Sequence, residues 1–143
     1  MMIEQITVFL ENEKGRLAAL CRCLGDANIN MAALSVADTT DYGVVRIICS
    51  DTHAALDALD AGGYRAIITK VMAIAVPHRP GGSADLLEKL DDLDLNIEYG
   101  YCFSTADETA IMALKISDPA AAAAATWAIE AAGFHVYDQR DLE

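Results

Sequence analysis

Apolar positions along this chain alternate between two spacings, every second residue and every third or fourth, in an order that occurs twice. Ile3 to Leu10 is rich in Ile, Thr, Val and Phe and predicts a strand. A polar turn, ENEKG, follows. Leu17, Leu20, Cys21 and Leu24 then fall on one stripe of a helix over Arg16–Leu24. Ile29–Ala37 and Val44–Cys49 predict strands on either side of a hairpin turn over Asp38–Gly43. Asp51 can cap a helix that runs to about Asp60, and Gly62-Gly63 can end it. Tyr64–Lys70 predicts a fourth strand.

The pattern restarts at Val71. A strand over Val71–Val76 leads into the turn PHRPGG, and Leu86, Leu87, Leu90 and Leu93 mark a helix stripe. Leu95, Ile97, Tyr99, Tyr101 and Phe103 alternate without a break, which predicts a strand whose aromatic stripe packs in the core against the helices. A turn at Ser104–Thr109 precedes the alternating Ala110, Met112, Leu114 and Ile116. Asp118-Pro119 reads as an N-cap with proline at the first helical position, and the alanine run through Trp127 and Ile129 favours a helix. Gly133 ends it before a last strand, Phe134–Tyr137. The element order repeats at an offset of roughly 66 to 70 residues, so the chain divides into units 1–70 and 71–143.

Composition narrows the classes of function. At 143 residues and 54% hydrophobic content the chain can bury a core, but each half alone would be marginal. Twenty-two acidic against ten basic residues give a net charge of −12, which repels phosphate backbones and anionic lipid. Nucleic-acid and membrane partners are therefore not expected. The first residues carry acids too early for a signal peptide, and no stretch approaches the ~20 apolar residues of a membrane span. Cys21, Cys23, Cys49 and Cys102 form no CxxC pair and predict reduced thiols in the core of a cytoplasmic protein.

Each unit joins its first strand to its first helix through a glycine-bearing turn, FLENEKGRL and then VPHRPGGSADL. Glycine there lets a ligand approach the backbone, and the helix start behind it presents unpaired N–H groups suited to a carboxylate. The second strand opens with Asn28-Ile29-Asn30 in one unit and lies within DLNIEY, Asp94 to Tyr99, in the other. Carbonyls and amide groups at that margin could accept hydrogen bonds from an ammonium group.

Strand, N-x-x-G-x-L turn, helix, NIN strand, hairpin, helix and strand together resemble the ACT domain, a small regulatory module that binds amino acids. Asn12-Glu13-Lys14-Gly15-Arg16-Leu17 stands where that family has an Asn or Asp, a proline and a glycine, and His78-Arg79-Pro80-Gly81 is the second copy. The resemblance extends to stand-alone tandem ACT proteins. It implies an α+β fold of two ferredoxin-like βαββαβ units, each an antiparallel four-stranded sheet with both helices on one face. It implies that units join edge to edge through their second strands into an eight-stranded sheet, with ligands at the seam. The ligand-binding residues it implies are Asn12, Gly15, Arg16, Leu17, Asn28, Ile29 and Asn30, then His78, Gly81, Gly82, Ser83, Asn96, Ile97 and Glu98. Lys14 replaces the family's proline, His78 replaces its Asn or Asp, and Ser83 stands where Leu17 does, so the two sites need not be equivalent.

Plainer readings stand beside these. The glycines also suit ordinary turns, Asn28 and Asn30 could satisfy strand-edge backbone, and His53, His78 and His135 suit solvated positions. Asp91, Asp92 and Asp94 lack the spaced ligands of a calcium loop and read as a solvated helix end. No serine lies in a nucleophile motif, and no phosphate or dinucleotide fingerprint is present. The expectation is a non-enzymatic protein without cofactor or metal, whose partners are a free amino acid, a second copy in a homodimer and a metabolic enzyme. The rival expectation is a scaffold that docks on such an enzyme without binding a small ligand.

Overall fold

A computed structural model describes residues 2–38, 42–106 and 108–142. The turn expected at Asp38–Gly43 falls largely on residues 39–41, outside the described residues, and that at Ser104–Thr109 includes the undescribed residue 107. Contacts divide the chain into an N-terminal unit, Glu4–Thr69, and a C-terminal unit that takes in Ile3 and Lys70–Leu142.

In the N-terminal unit, β1 (Ile3–Glu11) is followed by α1 (Arg16–Asp26), β2 (Met31–Asp38), β3 (Tyr42–Cys49), α2 (Thr52–Ala61) and the start of β4 (Arg65–Pro77). The strand order is β2-β3-β1-β4. Every second residue of β1 and β3 faces the helices, so Ile6, Val8, Leu10, Val45 and Ile47 form one core with Leu20 and Leu24 of α1 and Ala55 and Leu59 of α2. Burial of each such Leu or Ile contributes about 1.5–3 kcal/mol. Both helices therefore cover one face, as the period-two pattern requires.

In the C-terminal unit the rest of β4 leads to α3 (Gly82–Asp92), β5 (Ile97–Ala106), β6 (Thr109–Ile116), α4 (Pro119–Ala131) and a 3-10 turn at Gln139–Leu142. The order here is β4-β6-β5. Met72, Ile74, Leu114 and Ile116 meet Leu86, Leu90, Ala122 and Ile129 in the second core. Trp127 is not part of it and stands 81% exposed on α4.

Local chemistry explains the boundaries. Asp51 accepts from the Ala54 N–H at 3.0 Å, and Asp118 from the Ala120 and Ala121 N–H groups at 3.1 and 3.2 Å, so both expected caps form. All four helices end alike, with a backbone N–H bonded five residues back: Ile29 to Leu24, Tyr64 to Leu59, Leu95 to Leu90 and Phe134 to Ile129. The residue before each donor is left-handed: Asn28 at φ 62°, Gly63 at 83°, Asp94 at 58° and Gly133 at 97°. The duplication thus extends to backbone conformation.

Three expectations change. Six strands, not eight, are described. Tyr64–Lys70 and Val71–Val76 are one strand, β4, because no turn-forming residue separates them. Phe134–Tyr137 makes only an isolated bridge, Val136 with Ile74. The aromatic stripe of β5 does not join the helix-side core. A bulge between Ile97 and Tyr99 shifts the register, so Ile97 pairs with Ile116 but Tyr99, Tyr101 and Phe103 pair with Lys115, Ala113 and Ile111. These lie on the face away from α3 and α4, and Gly100 faces Leu114 instead. The equivalent bulge, between Met31 and Ala33, interrupts β2. Of the four free cysteines only Cys49 is buried, and Cys102 is exposed.

Candidate functional site

The glycine before the first helix of each unit has the same conformation. Gly15 holds φ 87° before α1 and Gly81 holds φ 86° before α3, and no side chain caps either helix. α2 and α4 are capped by aspartates. The N-cap residues of α1 and α3 are thus glycines, which have no side chain to offer the first-turn N–H groups.

Around these glycines the two turns differ. In the first turn, a Cβ on Gly15 would meet nothing within 4 Å, and α1 carries no acid in its first turn. Arg16 is held beside the turn by Glu11 at 3.2 Å and Glu13 at 3.4 Å. A cavity of ≈ 200 Å³ opens there, bounded by Asn12, Arg16 and Leu17 together with Leu10, Glu11, Glu13, Val36, Gly43 and Val45. It gathers three of the expected site residues. Gly43, Val36, Leu10 and Val45 were not foreseen. No spacing links residue 36 to residue 12, and only the register Val36↔Val45 and Leu10↔Gly43 brings them together. A second cavity of ≈ 310 Å³ is lined by Arg16, Gly62, Gly63 and Tyr64, with the Arg65 guanidinium 5.9 Å from the Phe9 ring centre. Nothing in the sequence pattern singled out that cluster.

The second turn is tighter. Gly82 is buried, and a Cβ there would sit 3.0 Å from the Pro77 carbonyl carbon and closer still to its oxygen. The Gly82 N–H already donates to Arg79 O at 3.0 Å, and the His78 N–H to Glu108 O at 2.6 Å. Asp85 supplies an acid in the first turn of α3 and pairs with Arg79 at 3.0 Å. His78, Arg79, Pro77 and Glu108 border a cavity of ≈ 270 Å³. Ser83 is exposed on α3.

The second-strand residues lie elsewhere in each unit. Asn28 is the left-handed residue that ends α1, and Ile29 packs against the N-terminal core beside exposed Asn30. They precede Met31, which pairs with Cys49, whereas the turn follows Leu10, which pairs with Gly43. Six strand steps separate those levels, about 20 Å. In the C-terminal unit the Asn96 amide donates to Ser117 Oγ at 2.8 Å, Ile97 packs against the core and Glu98 lies 3.6 Å from the Lys115 ammonium. These again stand at the end of β6 opposite Pro77, which pairs with Thr109. Neither unit brings its own turn and its own NIN or NIE segment together.

Among the described strands, β2 pairs only with β3 and β5 only with β6, so each leaves one edge open. Leu34 and Val36, on the helix side of the β2 edge, are 43% and 51% exposed. Among the described residues no cluster of His, Cys, Asp or Glu could hold a metal ion, and no helix is long and apolar enough to cross a membrane.

Residues 1–130 match the family model described as an ACT domain pair. Among solved structures, protein BT0572 from Bacteroides thetaiotaomicron is similar at 31% identity and a TM-score of 0.90, over 99% of this chain and 96% of that one. The regulatory subunit of aspartate kinase from Thermus thermophilus is similar in fold at 19% identity and a TM-score of 0.65, over 91% and 92%. That from Thermus flavus has a TM-score of 0.64 at 19% identity, over 90% and 91%. No curated protein matches the chain in sequence.

Proposed function

Since the chain belongs to the ACT domain pair family, we propose that it is a non-catalytic cytoplasmic regulatory protein that binds a free L-amino acid where the glycine turn of one unit meets the second strand of another. One observation carries this reading. Within a unit, the turn and the start of the second strand stand at opposite ends of an open edge, about 20 Å apart. A single amino acid cannot reach both. A second unit whose edge strand runs antiparallel to the first brings its strand start to the first unit's turn. A homodimer formed through β2 has that geometry, and exposed Leu34 beside the edge supports it. The ligand carboxylate sits at the start of α1 behind Gly15, and its ammonium meets Asn30 and neighbouring carbonyls of the facing strand.

Binding at such a seam clamps two units, so the ligand favours whichever arrangement it binds better. The Thermus structures are named as regulatory subunits of aspartate kinase. That supports a role in which this chain reports amino-acid supply to a metabolic enzyme. The rival scaffold reading draws on Trp127, whose 81% exposure suits a contact with another protein.

A thermal-shift screen of the twenty amino acids separates the two. A ligand at 100 times its dissociation constant adds about 2.7 kcal/mol to the native state. For a chain of this size that raises Tm by about 5–10 °C. Gly15→Asp removes the shift at the N-terminal turn by placing a like charge at the helix start, while Gly15→Asn keeps the turn without the charge and retains most of it. A flat response to all twenty amino acids refutes the sensing reading and leaves the scaffold.

A further inference from the structure

We propose that the N-terminal turn selects an amino acid with an aliphatic side chain, a step that rests on the amino-acid reading above. The cavity beside Gly15 has an apolar floor of Leu10, Leu17, Val36 and Val45 and a polar rim of Glu11, Asn12, Glu13 and Arg16. Half of that floor is already covered by the fold: Leu10 is 7% exposed and Val45 fully buried. The other half is not. Leu17 and Val36 are 37% and 51% exposed, although they come from different elements and converge on one cavity. An alkyl group lying over them removes apolar surface from water.

The charge pattern excludes the other side-chain classes. Arg16 is held by Glu11 and Glu13, so an acidic side chain finds its only rim cation engaged by two carboxylates. A lysine ammonium would find the lining carboxylates Glu11 and Glu13 already paired with Arg16. A volume of ≈ 200 Å³ suits three or four carbons and falls below the ~300 Å³ at which pockets for larger molecules begin.

The C-terminal unit lacks this floor. At the repeat offset of 66, Ser83 replaces Leu17 and Cys102 replaces Val36. With Gly82 packed on Pro77 and Asp85 in the first turn of α3, the second turn already carries an acid at its helix start. The chain therefore takes one aliphatic amino acid, not two.

The test is calorimetric titration of the intact protein with glycine, alanine, 2-aminobutyrate, valine, leucine, serine, lysine, aspartate and phenylalanine. The expected result is one ligand per chain, with affinity rising about three- to fourfold per added methylene up to leucine. Leu17→Ser and Val36→Cys, which import the second unit's residues at exposed positions, each weaken leucine about tenfold and leave alanine within twofold. Circular dichroism of both variants matches the parent. Tightest binding by serine, lysine or aspartate, or unchanged leucine affinity in both variants, overturns the aliphatic assignment while the amino-acid reading stands. No binding by any amino acid overturns that reading and this inference with it.

Discussion

Gly15 and Gly82 flank equivalent turns, yet replacing them with alanine should have very different costs. At Gly15 the cost is conformational. A non-glycine residue at φ 87° is disfavoured by about 1–2 kcal/mol, and the stiffer unfolded chain returns about 0.4–1 kcal/mol. Nothing lies within 4 Å of the new Cβ, so the net loss is about 1 kcal/mol. At Gly82 the backbone is ordinary and the obstacle is steric. The new Cβ falls inside the van der Waals distance of the Pro77 carbonyl, a backbone group that cannot rotate away as a side chain would. Opening the turn by roughly 1 Å costs about 1–3 kcal/mol in overpacking. It also weakens the Gly82 N–H bond to Arg79 O, worth about 1 kcal/mol. The total is about 3 kcal/mol. With a urea slope of about 2 kcal/mol/M, Gly82→Ala lowers the midpoint followed by far-UV circular dichroism by about 1.5 M, and Gly15→Ala by about 0.5 M. A Gly82→Ala midpoint within about 0.3 M of the parent's, or a larger loss at Gly15, would show that the second turn is not closed as described.

Two further outcomes follow from burial and capping. Burial pushes the Cys49 thiol above its ordinary pKa, and the nearby Asp51 and Glu4 charges add to this. The folded state therefore keeps the neutral thiol to higher pH than the unfolded chain does. That contribution is complete below the usual thiol value of about 8.5 and is lost as pH rises beyond it, so Cys49→Ala should flatten the alkaline decline in Tm. An unchanged alkaline slope in that variant would contradict this assignment. Asp51→Ala and Asp118→Ala should each lower unfolding free energy by about 1 kcal/mol, because each leaves helix-start N–H groups without an acceptor. Denaturation that shows no loss for either would contradict the caps.

Much of the fold was legible because the same local signals recur. Alternation in Ala110–Ile116, the leucine stripe of α3 and the aspartate before each second helix all act over a few residues, and each formed its element. The failures share a cause: the deciding partner lies far along the chain. Ile97 to Phe103 alternates without interruption, and only pairing with β6 reveals that Glu98 is the extra residue that turns the tyrosines to the other face. The restart of the repeat at Val71 suggested a strand boundary, but a boundary needs a turn, and Lys70-Val71 offers none. For the candidate site, the turn residues were readable because glycine conformation is local. Val36 was not, because it joins Asn12 and Leu17 only through sheet register.

The bulges at Ala32 and Glu98 occupy corresponding places in the two copies. A long, flat, unpaired strand is a template on which chains can stack without limit. A bulge bends such a strand and leaves its extra residue out of the ladder, so only the short straight stretch beyond it remains available. The β2 and β5 margins shaped in this way each present only a short regular stretch to another chain. The irregularity that turns the tyrosines to the other face thus also shortens the regular edge on which a further strand could stack.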